Sequence, residues 1–255
     1  MPRRAKQQRI ACRDGRSFAF VPGRTALLLI DMQKEFFASD DGDEEHPDSM
    51  SAIIPRVVDL ADLARTSGIR VVHTREAYAP DLSDVSEYRA SLDYVGHPGP
   101  LGRTLVRGEA SHDFLDCLQP ERGETVIDKP GFSAFHASPL DHVLRSSGID
   151  HLFIAGVTTQ CCVHSTLRSA VDLGYWCLTI ADCCAASEPH LHDATLAIIS
   201  GEGHLFGWIC DFADVAAALA PAASPAPGTV RTTSSGSPGG VKPRPSKPRP
   251  PPRVR

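Results

Sequence analysis

Thr25 to Asp31 (TALLLID) is an unbroken apolar run closed by an acid, the pattern of a strand buried on both faces of a parallel sheet. Apolar positions then recur at helical spacing from Ala52 to Ala64, and a second short run, Ile69 to Thr74, reads as another strand. From Arg75 to Glu124 the pattern lapses into a stretch rich in Pro, Gly and charge, long for a connection without a function. Beyond it the alternation resumes. Strands are predicted at Thr125 to Asp128, His151 to Ala155, Trp176 to Ala181 and Leu205 to Ile209. Helices are predicted at Pro139 to Ser146, Gln160 to Leu173, His190 to Ser200 and Asp211 to Leu219.

This order predicts an α/β fold, a three-layer sandwich in which a six-stranded, mostly parallel sheet carries helices on both faces. One such set makes one domain, placed at residues 23–220, after an N-terminal extension at 1–22 and before a tail at 221–255. In open parallel sheets the ligand crevice lies outside the carboxyl ends of the strands, where strand order reverses. Asp31 closes the first strand, Lys129 ends the third and Cys162 follows the fourth, so all three are expected in one pocket.

The register of the helix after the fourth strand separates two adjacent cysteines. Cys162, Val163, Thr166, Leu167, Ala170 and Val171 share one face, and Cys161, Ser165, Arg168, Ser169 and Asp172 share the other. Cys162 is therefore expected to face inward and Cys161 outward or sideways. A thiol at a helix start is also expected to have a lowered pKa, because the helix N-terminus stabilises negative charge by about 0.3 to 2 kcal/mol. Packing as a small core hydrophobe is the alternative for Cys162, as helix capping is for Asp31 and a surface turn for Lys129.

Composition alters this picture mainly at the end of the chain. Residues 221–255 hold seven basic and no acidic side chains, and removing these seven from the formal net charge of −5 leaves −12 on residues 1–220. With Val as its only large apolar residue type, the basic, Pro-rich tail is expected to be disordered. It lacks aromatic residues for base stacking, which argues against nucleic-acid binding. No signal-peptide pattern and no run of 18 apolar residues is present, so no membrane span is expected. Four of the eight cysteines are adjacent pairs and none forms CxxC, which argues against disulfides and a zinc site and fits a reducing cytoplasm. His190 and His192 read as helix-start histidines rather than metal ligands.

A cysteine, a lysine and a carboxylate in one crevice make a workable nucleophilic set: the carboxylate moves the thiol proton to a leaving amine, and the ammonium steadies both anions. The segments LLLIDMQKEFF, VIDKPGFSAFHASPLDHVL and AGVTTQCCVHSTLRSAVDLGYWCLTIADCCAAS resemble the isochorismatase-like cysteine hydrolases. HTREAYAPDLSD and GPLGRTLVRGE are similar to the branch containing biuret amidohydrolase and other ureido-compound amidases. The resemblance runs from about Thr25 to Leu219. It implies that Asp31 is the acid/base, Lys129 the activating cation and Cys162 the nucleophile. It further implies a cis peptide between Val157 and Thr158, with the backbone N–H groups of Thr158 and Cys162 forming an oxyanion hole. A homo-oligomer, commonly a tetramer, is implied as well, and neither metal nor organic cofactor is.

Two positions depart from the branch. Phe132 stands where biuret-cleaving relatives tend to carry a basic residue, and Glu202 where they carry an amide, which disfavours a simple assignment of biuret and favours a neutral or N–H-rich ureide or amide. Phe36, Phe132 and Glu202 are thus the candidate substrate-binding residues. Arg75 and Glu76, at the end of the second strand, read as contacts to substrate or to a neighbouring subunit, or at least as readily as a surface ion pair. The expected function is a cysteine-dependent amidohydrolase that releases ammonia from a small ureido compound or amide through a thioester. The alternatives are an isochorismatase-type vinyl ether hydrolase, disfavoured because it does not need the cysteine, and a non-catalytic oligomeric binding module.

Overall fold

The computed structural model describes residues 7–38 and 50–220. The basic tail lies outside the described residues, as does the expectation that it is disordered.

Residues 8–20, expected as part of an extension, instead open the fold. Strands β1 (Gln8–Ala11) and β2 (Ser17–Phe20) form an antiparallel hairpin that buries Ile10, Phe18 and Phe20. Phe18 meets Phe153 and Trp208 edge to face, and Phe20 meets Phe153. Two four-residue strands carry too few alternating positions to stand out in the sequence. Their burial is set by aromatic partners far along the chain.

The main elements then follow in the predicted order: β3 (Thr25–Ile30), α1 (Ile54–Thr66) and β4 (Arg70–Glu76), the last running two residues further than its apolar pattern suggests. The irregular stretch holds a short helix, α2 (Glu87–Ser91), capped by the Ser86 hydroxyl, a hairpin of the two-residue strands β5 (Pro98–Gly99) and β6 (Gly102–Arg103), and single 3-10 turns at Ala110–His112 and Asp116–Leu118. Next come β7 (Thr125–Lys129), α3 (Leu140–Ser146), β8 (His151–Val157), α4 (His164–Asp172), β9 (Trp176–Ala185), α5 (Pro189–His204), β10 (Trp208–Cys210) and α6 (Phe212–Leu219).

Strands β10-β9-β8-β3-β4-β7 lie in that order in one six-stranded sheet, and every pairing is parallel. Two separate apolar clusters cover its faces. One holds Leu27, Leu29, Val57, Leu60, Val71 and Phe153, and the other Leu28, Ile30, Val72, Ile154, Cys162 and Leu167. Alternate residues of β3 divide between the clusters, as the two-residue period of a strand requires. The chain builds outward from β3 through β4 to β7, then returns to the other side of β3 for β8, β9 and β10. The order therefore reverses at β3, and the carboxyl ends of β8, β3, β4 and β7 stand side by side.

Two junctions differ from the expected helices. Before α4 the chain makes a π turn at Thr159–Val163, in which the Thr158 carbonyl accepts from the N–H groups of Cys161 (3.0 Å) and Val163 (3.2 Å). Near the end of α5, Gly201, Glu202 and Gly203 leave helical geometry, with Glu202 at φ 50°, and β10 starts three residues later than its apolar run suggests.

Candidate active site

Asp31 directly follows β3 in a left-handed conformation, φ 51°, which Asp tolerates better than most residues. Its N–H donates to the Thr74 carbonyl at 3.2 Å, and the Thr74 hydroxyl donates back to Asp31 Oδ1 at 2.7 Å, so β4 fixes both backbone and carboxylate. The free oxygen, Oδ2, is 2.7 Å from Lys129 Nζ. Both side chains are fully buried.

Lys129, at the end of β7, reaches across β4 to the middle of the sheet. Its ammonium donates to the Gly131 carbonyl at 2.8 Å and to Cys162 Sγ at 3.5 Å, and it lies 4.0 Å from Glu76 Oε2. Burial works to lower the Lys129 pKa, but the charges of Asp31, Cys162 and Glu76 outweigh it and hold the pKa above its ordinary value. Oxygen and sulfur atoms of Asp31, Glu76 and Cys162 lie within 4.8 Å of one another, a grouping that suits a cation. The Lys129 ammonium supplies that positive charge.

Cys162 is 4% exposed and Cys161 half-buried, as the helix faces predict. The expected fall in thiol pKa is not found. Cys162 is pushed well above the ordinary value, first by the neighbouring Cys161 thiol and then by burial, with Lys129 pulling the other way. The thiol sits within a π turn enclosed by protein and close to Asp31, so loss of solvation outweighs the helix dipole. The peptide between Val157 and Thr158 is cis. Beside the turn, the Thr159 hydroxyl and His192 Nδ1 are hydrogen-bonded at 2.9 Å, giving His192 a structural contact its sequence position did not reveal.

The family model for the isochorismatase domain matches residues 25–214. Ureidoacrylate amidohydrolase RutB of Serratia proteamaculans (strain 568) is 31% identical over 206 residues, covering 76% of this chain and 82% of that protein. The chain belongs to the isochorismatase family. A solved isochorismatase family protein from Desulfovibrio vulgaris subsp. vulgaris str. Hildenborough has a TM-score of 0.66 at 28% identity, covering 78% of this chain and 99% of that one. A cysteine hydrolase from Pseudomonas syringae pv. phaseolicola 1448A has a TM-score of 0.68 at 25% identity, covering 78% and 94%.

Within this isochorismatase fold, the other candidates separate. Phe132 lies beside the site: the Arg89 guanidinium stacks over its ring at 4.4 Å and is ion-paired with Glu76. Phe36 instead packs, as Phe37 does, against the apolar cluster that does not contain Cys162. Glu202 is exposed on the left-handed kink of α5, whereas Asp31, Lys129 and Cys162 are buried. Its charge comes from a turn that the sequence pattern reads as ordinary helix end and loop.

Glu76 is not half of a surface pair with Arg75. Arg75 turns to Asp128 (2.8 Å) and the Phe114 ring, on the opposite side of β4. Glu76 is 2% exposed and lies at the carboxyl end of β4, with Oε2 3.9 Å from Cys162 Sγ. Its Oε1 accepts from the Tyr78 hydroxyl at 2.9 Å and pairs with Arg89. The Gln33 side chain clamps its backbone, accepting from the Glu76 N–H at 2.8 Å and donating to its carbonyl at 3.0 Å. The alternation of β4 puts Glu76 on the face of Thr74; that parity was the available signal. Among the described residues, no helix is long and apolar enough to cross a membrane.

Proposed function

We propose that this chain is a cysteine-dependent amidohydrolase that cleaves a C–N bond of a small ureido compound and releases ammonia. It acts on a non-peptide C–N bond. The observation that carries the reading is the buried Lys129 ammonium, 2.7 Å from Asp31 Oδ2 and 3.5 Å from Cys162 Sγ. The name of the ureidoacrylate amidohydrolase relative supports the substrate class.

In this scheme the resting thiol is protonated. Cys162 Sγ attacks the carbonyl carbon as its proton passes to Asp31, and the oxyanion is received by the N–H groups of Thr158 and Cys162. Asp31 returns the proton to the leaving nitrogen, the C–N bond breaks and ammonia departs, leaving a carbamoyl thioester on Cys162. Water then gives a proton to Asp31 and attacks the thioester carbonyl. The C–S bond breaks and the sulfur recovers the proton. Lys129 stays charged throughout, holding Asp31 in place and balancing the negative charge as it moves between oxygen and sulfur. No step calls on a metal or organic cofactor.

The test is ammonia release from biuret, triuret, N-carbamoyl amino acids, ureidoacrylate and nicotinamide. A ureido compound should be turned over, and Cys162→Ala should abolish the reaction with the fold intact. No release from any of them, with no alkylation of Cys162, would overturn the reading.

A further inference from the structure

Glu76 is a buried carboxylate that the reaction above leaves without a task. Its two oxygens are held differently. Oε1 is engaged by Tyr78 and Arg89, while Oε2 turns toward the nucleophile, 3.9 Å from Cys162 Sγ and 4.0 Å from Lys129 Nζ. Gln33 locks the backbone, and Arg89 is itself fixed by stacking on Phe132 and donating to the Tyr78 hydroxyl at 3.1 Å. Oε2 therefore cannot swing away without giving up the Tyr78 and Arg89 contacts.

Two carboxylate oxygens thus border the place where a carbonyl would meet Cys162: Asp31 Oδ2 and Glu76 Oε2. A simple amide carbonyl carries one nitrogen and a ureido carbonyl carries two. We propose that Glu76 is the specificity-determining residue of this site. Its Oε2 accepts the N–H of the nitrogen that stays on the carbonyl, while Asp31 serves the nitrogen that leaves, so the site selects ureido groups over simple amides. This rests on the reading of the chain as a ureido amidohydrolase. The chemistry is that of a charged acceptor in a buried site, which favours a ligand with the matching N–H and is left unpaired by one without it.

N-Carbamoylglycine and succinamate test it, because they differ only in an NH replaced by CH2. The wild-type enzyme should favour N-carbamoylglycine in kcat/KM by roughly 10- to 100-fold, the range of one charge-assisted hydrogen bond. Glu76→Gln turns that acceptor into a donor at nearly constant volume, and should erase the preference by slowing the ureide roughly 10- to 100-fold more than succinamate. Glu76→Asp keeps the charge but draws the oxygen back, and gives the same split should Glu76→Gln not fold. Equal losses on both substrates, or no wild-type preference, would overturn the proposal while leaving the amidohydrolase reading standing. Should neither compound release ammonia, calorimetric binding to Cys162→Ala decides: tighter binding of N-carbamoylglycine that Glu76→Gln removes supports the role of Glu76, and equal binding overturns it.

Discussion

A side chain on Gly156 would place its Cβ 2.1 Å from the carbonyl oxygen of Ile30, its partner across the β3–β8 ladder. Gly156 also has φ 116°, outside the range that L side chains readily adopt. Asp31 directly follows Ile30, and the turn bearing Cys162 follows β8. The missing side chain thus lets the strand ends that lead to Asp31 and Cys162 close on each other.

Gly156→Ala should therefore cost stability on the order of 2 to 4 kcal/mol, combining overpacking with backbone strain. Urea denaturation of the wild type and the variant measures it, and a variant of wild-type midpoint would show that β8 can move away from β3 freely.

Lys129→Met should destabilise the protein by about 3 to 5 kcal/mol, because it leaves Asp31 buried with its charge uncompensated. Adding Asp31→Asn removes that charge and should restore most of the stability without restoring activity. Denaturation midpoints of the two single variants and the double variant give the coupling directly. Simple additivity of the two changes would mean that the pair is not coupled.

The contact with Cys161 raises the Cys162 pKa more than any other cause. Alkylation of Cys162, followed by site-resolved mass spectrometry, should therefore be slow at neutral pH and rise only in alkaline solution. In Cys161→Ala the rise should move to lower pH, because the largest raising influence is gone while Lys129 remains. An unchanged profile would remove Cys161 from the account.

Glu124 accepts from Arg65 at 2.9 and 3.0 Å, from the Glu121 N–H at 2.8 Å, and pairs with His73 at 2.8 Å. Burial works to raise its pKa, but these partners bring it down to about 2. A carboxylate held below its unfolded value stabilises the fold above that value, near pH 4.5, and the contribution is lost as pH falls toward 2. Melting temperature should fall across this window. Glu124→Gln should flatten that part of the profile, by up to about 3 kcal/mol over the full window.

The sequence by itself determined the order of strands and helices, the parallel sheet and the inward face of Cys162. Each of these is written in local periodicity, two residues for a strand and 3.6 for a helix. It also put Asp31, Lys129 and Cys162 at strand ends, which are marked by runs as short as TALLLI and TVIDK. It left the hairpin holding Phe18 and Phe20 unread, because those strands are four residues long and their partners Phe153 and Trp208 lie far along the chain. Only the tertiary structure decided that Glu76 belongs to the site. Two adjacent residues of β4 face opposite sides of the sheet, so Arg75 goes to Asp128 and Glu76 to Cys162, and no local pattern states what waits on either side. The same holds for the state of the thiol. A helix start predicts a lowered pKa, but enclosure and the Cys161 contact raise it, and both come from how the turn is packed.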